Sequence, residues 1–141
     1  MKITAKNISS LLAAVFTILI SCNNKGYSPT HKDLDENMID LKAYQENMGD
    51  EIKAGTLEDA VWLLEGLDSV LNVVAVTFPE HRKLEKPFAD YYDSKMKRPI
   101  EQIGSAIKNN NQKAALEGYK LLVRRCNSCH KDLDIDKEVK Y

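Results

Sequence analysis

Near the C-terminal end of the chain stand Cys126, Asn127, Ser128, Cys129 and His130, which together read C-x-x-C-H. Residues at i, i+3 and i+4 share one face of a helix, so one turn can present both thiols and the imidazole on the same side. This is the attachment pattern of a c-type haem: two thiols add across vinyl groups as thioethers and the adjacent imidazole ligates the iron. Two other chemistries use the same residue types. A redox dithiol of the thioredoxin kind needs a βαβ context, and no such pattern is visible. A structural zinc site needs a second pair of ligands, which the isolated His31 and His81 do not promise. One covalent haem c held by Cys126, Cys129 and His130 is the expected cofactor.

The elements that must position this turn are helical. Leu34, Met38, Leu41, Gln45, Met48 and Ile52 recur at helical spacing, which predicts a first helix from near Asp33 to about Lys53, closed by Ala54 and Gly55. Leu57, Ala60, Leu64, Leu67, Leu71, Val74 and Phe78 make a second, the most apolar, with Pro79 ending it. Thr56 and Asp59 stand in capping-box positions at its start. Trp62 lies off that stripe, on a flank free to meet a neighbouring helix or a partner. Residues 79–87 form a charged connection between two prolines, with His81 read as a surface-loop histidine. A third helix runs from Phe88 to Lys108 on a face of Phe88, Tyr92, Met96, Ile100, Ile103 and Ile107. Pro99 falls inside it and predicts a kink near 95–99, or a helix properly beginning at Pro99. Asn109 to Asn111 form a turn. The fourth helix, from about Gln112 to Lys131, carries Leu116, Tyr119, Val123, Cys126 and His130 on one stripe. The haem residues therefore share the face that looks into a helical core. Strand-like alternation is absent. The charged tail, 132–141, is expected to fray.

The N-terminal 21 residues read as a leader rather than as fold. Lys2 and Lys6 make a positive start, and Ile8 to Ile20 an apolar stretch too short for a comfortable span. Leu19-Ile20-Ser21-Cys22 resembles the lipobox of bacterial lipoproteins, which implies cleavage after Ser21 and lipidation of Cys22. Residues 22–33 are polar, with Gly26, Pro29 and His31, and read as a tether. The three cysteines are then accounted for, one by lipid and two by haem, and none remains for a disulfide. Losing Lys2 and Lys6 takes the formal net charge from −1 to −3, so a nucleic-acid footprint is not indicated. Asn23 follows the lipid cysteine where an inner-membrane retention signal would carry Asp, which favours the outer membrane. The chain thus divides into a leader (1–21), a tether (22–33), a helical domain (34–131) and a tail (132–141).

Four amphipathic helices with C-x-x-C-H on the last resemble the cytochrome c prime family over about residues 33–131. The resemblance implies an all-α, antiparallel four-helix bundle with one haem near an end of the bundle. Asp33-Leu34-Asp35-Glu36-Asn37-Met38 is also similar to the start of the first helix in soluble b-type four-helix cytochromes. There a methionine at the place of Met38 ligates iron opposite a histidine on the last helix. By that resemblance Met38 is the candidate sixth ligand, and Met48, ten residues on, is core. The chain departs from cytochromes c prime after the haem histidine, where Leu133 and Asp134 replace the family's aromatic and basic residues. The basic residue that serves gas-ligand chemistry is therefore missing. Arg125, just before the motif, is a candidate contact for a haem propionate.

These readings imply a monohaem c-type cytochrome that transfers electrons, with His130 and Met38 as axial ligands. A thioether opposite imidazole raises the reduction potential. The alternative is a five-coordinate haem protein binding nitric oxide or carbon monoxide, with Met38 only shielding the distal side. Enzymatic turnover is not indicated, because the first-helix face offers no acid–base group beyond Gln45. The expected partners are redox proteins on the periplasmic side of a bacterial membrane, reached through the lipid anchor. The resemblance also allows a homodimer through the first two helices.

Overall fold

A computed structural model describes residues 33–80 and 83–141. The leader, Cys22, the tether as far as Lys32, and His81 lie outside the described residues. The described chain is all-helical, with no strand among the described residues. Helix α1 spans Leu34–Ala54 and α2 spans Leu57–Thr77. A third helical run comprises α3 (Phe88–Tyr91), a π-helical turn (Tyr92–Met96) and α4 (Lys97–Lys108). Helix α5 spans Gln112–Asp132. Each long element packs on two others: α1 on α2 and α5, and the third run on α2 and α5.

The start of α1 is set by a capping box. The Asp33 carboxylate accepts from the Glu36 amide at 2.9 Å, and the Glu36 carboxylate accepts from the Asp33 amide at 3.2 Å. Two of the orphan donors at the helix start are thereby satisfied. Asp33 thus belongs to the helix and not to the tether. The capping box expected from Thr56 and Asp59 does not form. Thr56 instead turns its hydroxyl back to the Glu51 carbonyl at 3.1 Å and to the Glu51 carboxylate. With only Gly55 and Thr56 between the helices, Thr56 is occupied in finishing the first and cannot cap the second.

Three helices end in the same way. A residue at positive φ reverses the chain, and the two amides around it bond back to the last turn, the Schellman arrangement. Gly55 does this at φ 86, Asn110 at φ 51 and Asp134 at φ 58. The closing bonds run from Thr56 to Glu51, from Asn111 to Ala106 and from Ile135 to His130, at 3.0, 2.9 and 2.8 Å. The third folds the tail back along α5.

Most of the expected core stripes are buried. Leu57, Ala60, Leu64, Leu67, Leu71 and Val74 are all inside, with Phe78 half-buried at the end. Phe88, Tyr92, Met96, Ile100, Ile103 and Ile107 are buried without exception. The third run keeps this face across Pro99 by widening one turn: the Lys97 amide bonds to the Tyr92 carbonyl, five residues back. Proline lacks an amide and its ring crowds the carbonyl four residues earlier. The π-helical turn just before Pro99 absorbs that conflict, a common way for a helix to accommodate one. The run neither stops nor restarts at Pro99.

In α5 the buried seam is rotated from the expected stripe. Ala115, Gly118, Tyr119, Leu122, Val123 and Cys129 are buried, whereas Leu116, Cys126 and His130 are half-buried. In α1, Met48, Gly49 and Ile52 are buried, and Leu34, Met38 and Leu41 only half-buried. Trp62, Val73 and Val76 are exposed on the outer side of α2.

Replacing Gly55 by Ala isolates the backbone requirement of the first reversal. A Cβ there meets only Gln112 side-chain atoms at 3.6 Å or more, so the cost comes from φ alone, about 1 kcal/mol. Thermal denaturation should show a Tm lower by several degrees for a domain of this size, with unchanged helical content.

Candidate functional site

The motif lies in the last two turns of α5 and is helical throughout. Cys126 and Cys129 are free thiols, and the turn that carries them faces Tyr91 of α3. The Tyr91 hydroxyl donates to the Arg125 carbonyl at 2.9 Å and lies beside the Cys129 thiol. Burial pushes the Cys126 thiol from 9.0 up to about 12, and the neighbouring Cys129 adds to the rise. Burial raises Cys129 as well, while the Tyr91 hydroxyl, which can turn to donate to a thiolate there, pulls it back down. The Tyr91 hydroxyl is itself held strongly protonated, first by burial and then by the nearby thiols. The chain therefore presents two neutral, sheltered thiols three residues apart. Thiols are at rest in this state, because the thiolate is the nucleophile.

His130 faces another way. Its Nδ1 donates to the Lys137 carbonyl at 2.6 Å, which leaves Nε2 as the nitrogen with a free lone pair. Metal-ligating histidines are typically held in this manner by a second partner. The bond exists because the tail does not fray. After the reversal at Asp134, the chain returns along α5. The Asn127 side chain takes both polar groups of Val139: it accepts from the amide at 2.7 Å and donates to the carbonyl at 2.9 Å. Val139 packs against the core. Lys83 pairs with Asp134 at 2.8 Å and lowers its pKa, tying the connection before α3 to this reversal. An open cavity of about 430 Å³ lies between the returning tail and α5, lined by Asn127, His130, Lys131 and residues 134–138. Neither thiol lines it.

A buried polar node sits two turns below the motif. Gln45 of α1 is only 3% exposed. Its Nε2 donates to the Tyr119 hydroxyl and, at 2.9 Å, to the Lys140 carbonyl. Its Oε1 is buried with no hydrogen-bond partner. Gly49 is next to it on the same face, and a Cβ there would run into the Tyr119 ring. Tyr119 can lie flat on α1 only because position 49 has no side chain.

The sequence-predicted residues fall into three groups. Cys126, Cys129 and His130 share one turn of α5, but not the common core face expected of them: the thiols meet Tyr91, whereas the imidazole turns to the returning tail. Arg125 is half-buried, and among the described residues its guanidinium is in no ion pair. Met38 is half-buried and packs on the edge of the core. Cys22 lies outside the described residues. Tyr91, Asn127 and the Lys137 carbonyl were not legible as site groups. Tyr91 stands one position off the third-helix stripe, Asn127 fills an unconstrained position of the motif, and a main-chain carbonyl leaves no mark in sequence. Among the described residues, no three His, Cys, Asp or Glu side chains converge on a point fit for a bare ion.

No family model matches the chain, and neither a curated protein nor a solved structure is significantly similar to it.

The raised thiols give a pH signature in the haem-free chain. Folding holds Cys126 protonated above its ordinary value of 9.0. Its contribution to stability is therefore complete below about 9 and is lost as the pH rises towards about 12. Alkylation by iodoacetamide should be slow at pH 8 in the folded chain and fast in urea. Tyr91→Phe removes a hydrogen bond worth about 1 kcal/mol and the one influence that favours the Cys129 thiolate. Cys129 alkylation should then move to higher pH. An unchanged profile would mean that the tyrosine does not act on the thiol.

Proposed function

We propose that this chain is a monohaem c-type cytochrome that transfers electrons, built as an antiparallel four-helix bundle with the haem attached to α5. The observation that carries the reading is the turn itself: two sheltered thiols and an imidazole whose Nδ1 is already engaged, all within five residues. Cys126 and Cys129 would hold the haem as thioethers, and His130 would ligate the iron through Nε2. Haem supplies the one-electron couple; the chain's own groups bind it, orient it and set its surroundings. Arg125 is suited to a propionate, since its guanidinium fork matches a carboxylate.

Two contacts support the antiparallel pairing of α1 with α5. Gln112, at the start of α5, donates to the Ile52 and Lys53 carbonyls at 2.8 and 3.0 Å, at the end of α1. Further along α5, Tyr119 meets Gln45 and Gly49, further back along α1. The same pairing supports Met38 as the second axial ligand. Seven residues is close to two turns, or about 10 Å of helix. Two turns back from Gln45 is Met38, and two turns on from Tyr119 is Cys126. Each keeps the face of the residue it is counted from, so the thioether comes level with the motif. Leu34 and Leu41 beside it are half-buried and apolar, a wall suited to a macrocycle and without an acid–base group for turnover.

Lipidation at Cys22 would tether the domain to the periplasmic side of a bacterial membrane, the outer one by the Asn23 signal. Redox proteins of that compartment would be its partners. Absorption spectra of the haem-loaded protein beside a Met38→Ala variant test the ligand assignment. Electron transfer with His–Met ligation predicts a low-spin wild type with the ferric thioether band at the red end of the spectrum, and its loss in Met38→Ala. A high-spin wild type that rapidly binds carbon monoxide, and is unchanged by the substitution, would replace this reading with the gas-binding one.

A further inference from the structure

We propose that residues 133–141 form a strap that positions His130 for its metal, with the Asn127 side chain as the clasp that holds the strap in place. The inference rests on the haem reading for the identity of the metal, but the positioning itself belongs to the chain. A charged segment whose half-buried apolar residues are Leu133 and Val139 has little burial to keep it ordered, and segments of this composition normally fray. This one is held by polar contacts at regular intervals. Ile135 bonds to the His130 carbonyl, Lys137 to the His130 imidazole, and Val139 to Asn127. Contacts at every second residue are those of an extended segment laid along a surface. Lys140 then reaches Gln45 on α1, so the strap crosses from one helix to the other.

The chemistry selects the residues. A neutral imidazole has one donor nitrogen and one acceptor, and the partner of one decides the role of the other. The Lys137 carbonyl can only accept, so it makes Nδ1 the donor and leaves the lone pair on Nε2. It also fixes the ring plane. Asn127 suits the clasp because a primary amide donates and accepts at once, as a neighbouring strand's peptide group would. Asp in its place keeps the acceptor for the Val139 amide and loses the donor for the Val139 carbonyl. The first free position of the C-x-x-C-H motif thus acts on the histidine through the strap, as a positioning residue that touches no metal itself.

The test is the tautomer of His130 in the haem-free mature chain, read from long-range ¹⁵N–¹H correlations. Replacing His31 and His81 by Gln leaves one imidazole to observe. The intact chain should show the Nδ1–H form dominant. A chain ending at Asp136, and the Asn127→Ala variant, should shift to the Nε2–H form that free imidazole prefers, with helical circular dichroism retained. Asn127→Asp should shift part of the way. If the shortened chain fails to fold, the two Asn127 variants decide. An unchanged tautomer in folded variants overturns the proposal. In haem-loaded protein, Asn127→Ala should raise the reduction potential, because a hydrogen-bonded imidazole is the stronger donor to ferric iron; an unchanged potential would also count against it. A chain that never acquires haem but shows the tautomer shift would sink the haem reading and leave the strap standing.

Discussion

The orientation of the motif's imidazole depends on one hydrogen bond, from His130 Nδ1 to the Lys137 carbonyl. Without it, a histidine near the end of a helix is a free rotor with two equivalent-looking nitrogens. With it, the ring has one orientation and one available lone pair. The bond needs the chain to reverse within a few residues of the histidine. That reversal needs a residue at positive φ, and Asp134 supplies it without being glycine. Asp is among the few side chains that tolerate this region, and here Lys83 holds its carboxylate. The reversed segment then needs an anchor, which Asn127 provides from inside the motif.

The rest of the fold serves the same turn from below. Gln45, Gly49 and Tyr119 bring α1 and α5 together where the core is fully closed. Towards the motif, Leu34, Met38 and Leu41 emerge to half-burial. The third helical run contributes Tyr91, whose hydroxyl shelters the thiols and bonds the backbone of Arg125. The π-helical turn lies immediately after Tyr91, so the same adjustment that accommodates Pro99 follows the residue that meets the thiols. Packing density decides stability at the closed end, and a few directed polar bonds decide geometry at the other.

Much of this was legible in the sequence, for an identifiable reason. The stripes of α2 and of the third run were readable because each of those helices buries one face. The seam of α5 was displaced because Gly118 lets the helix come close to Ile103, which turns Leu122 inward and leaves His130 at the edge. Pattern counting sees apolar residues and not the small residue that steers them. Thr56 was misread because two local motifs competed for it, and the closing of α1 prevailed. The tail was misread because it has neither apolar period nor turn signal. Its order comes from side chains bonding main-chain groups, and main-chain carbonyls are the same at every position. Asp33 and Glu36, by contrast, carried a capping-box pattern that was there to be read.

The central claim, that this turn carries a covalent haem, is tested most directly by the intact mass of the mature chain co-expressed with a c-type haem attachment apparatus. The account predicts a gain of one haem that survives acid–acetone extraction and disappears in the Cys126→Ser, Cys129→Ser double variant. A soluble, folded, colourless chain at the unmodified mass, produced beside a control cytochrome that does acquire its haem, would contradict it.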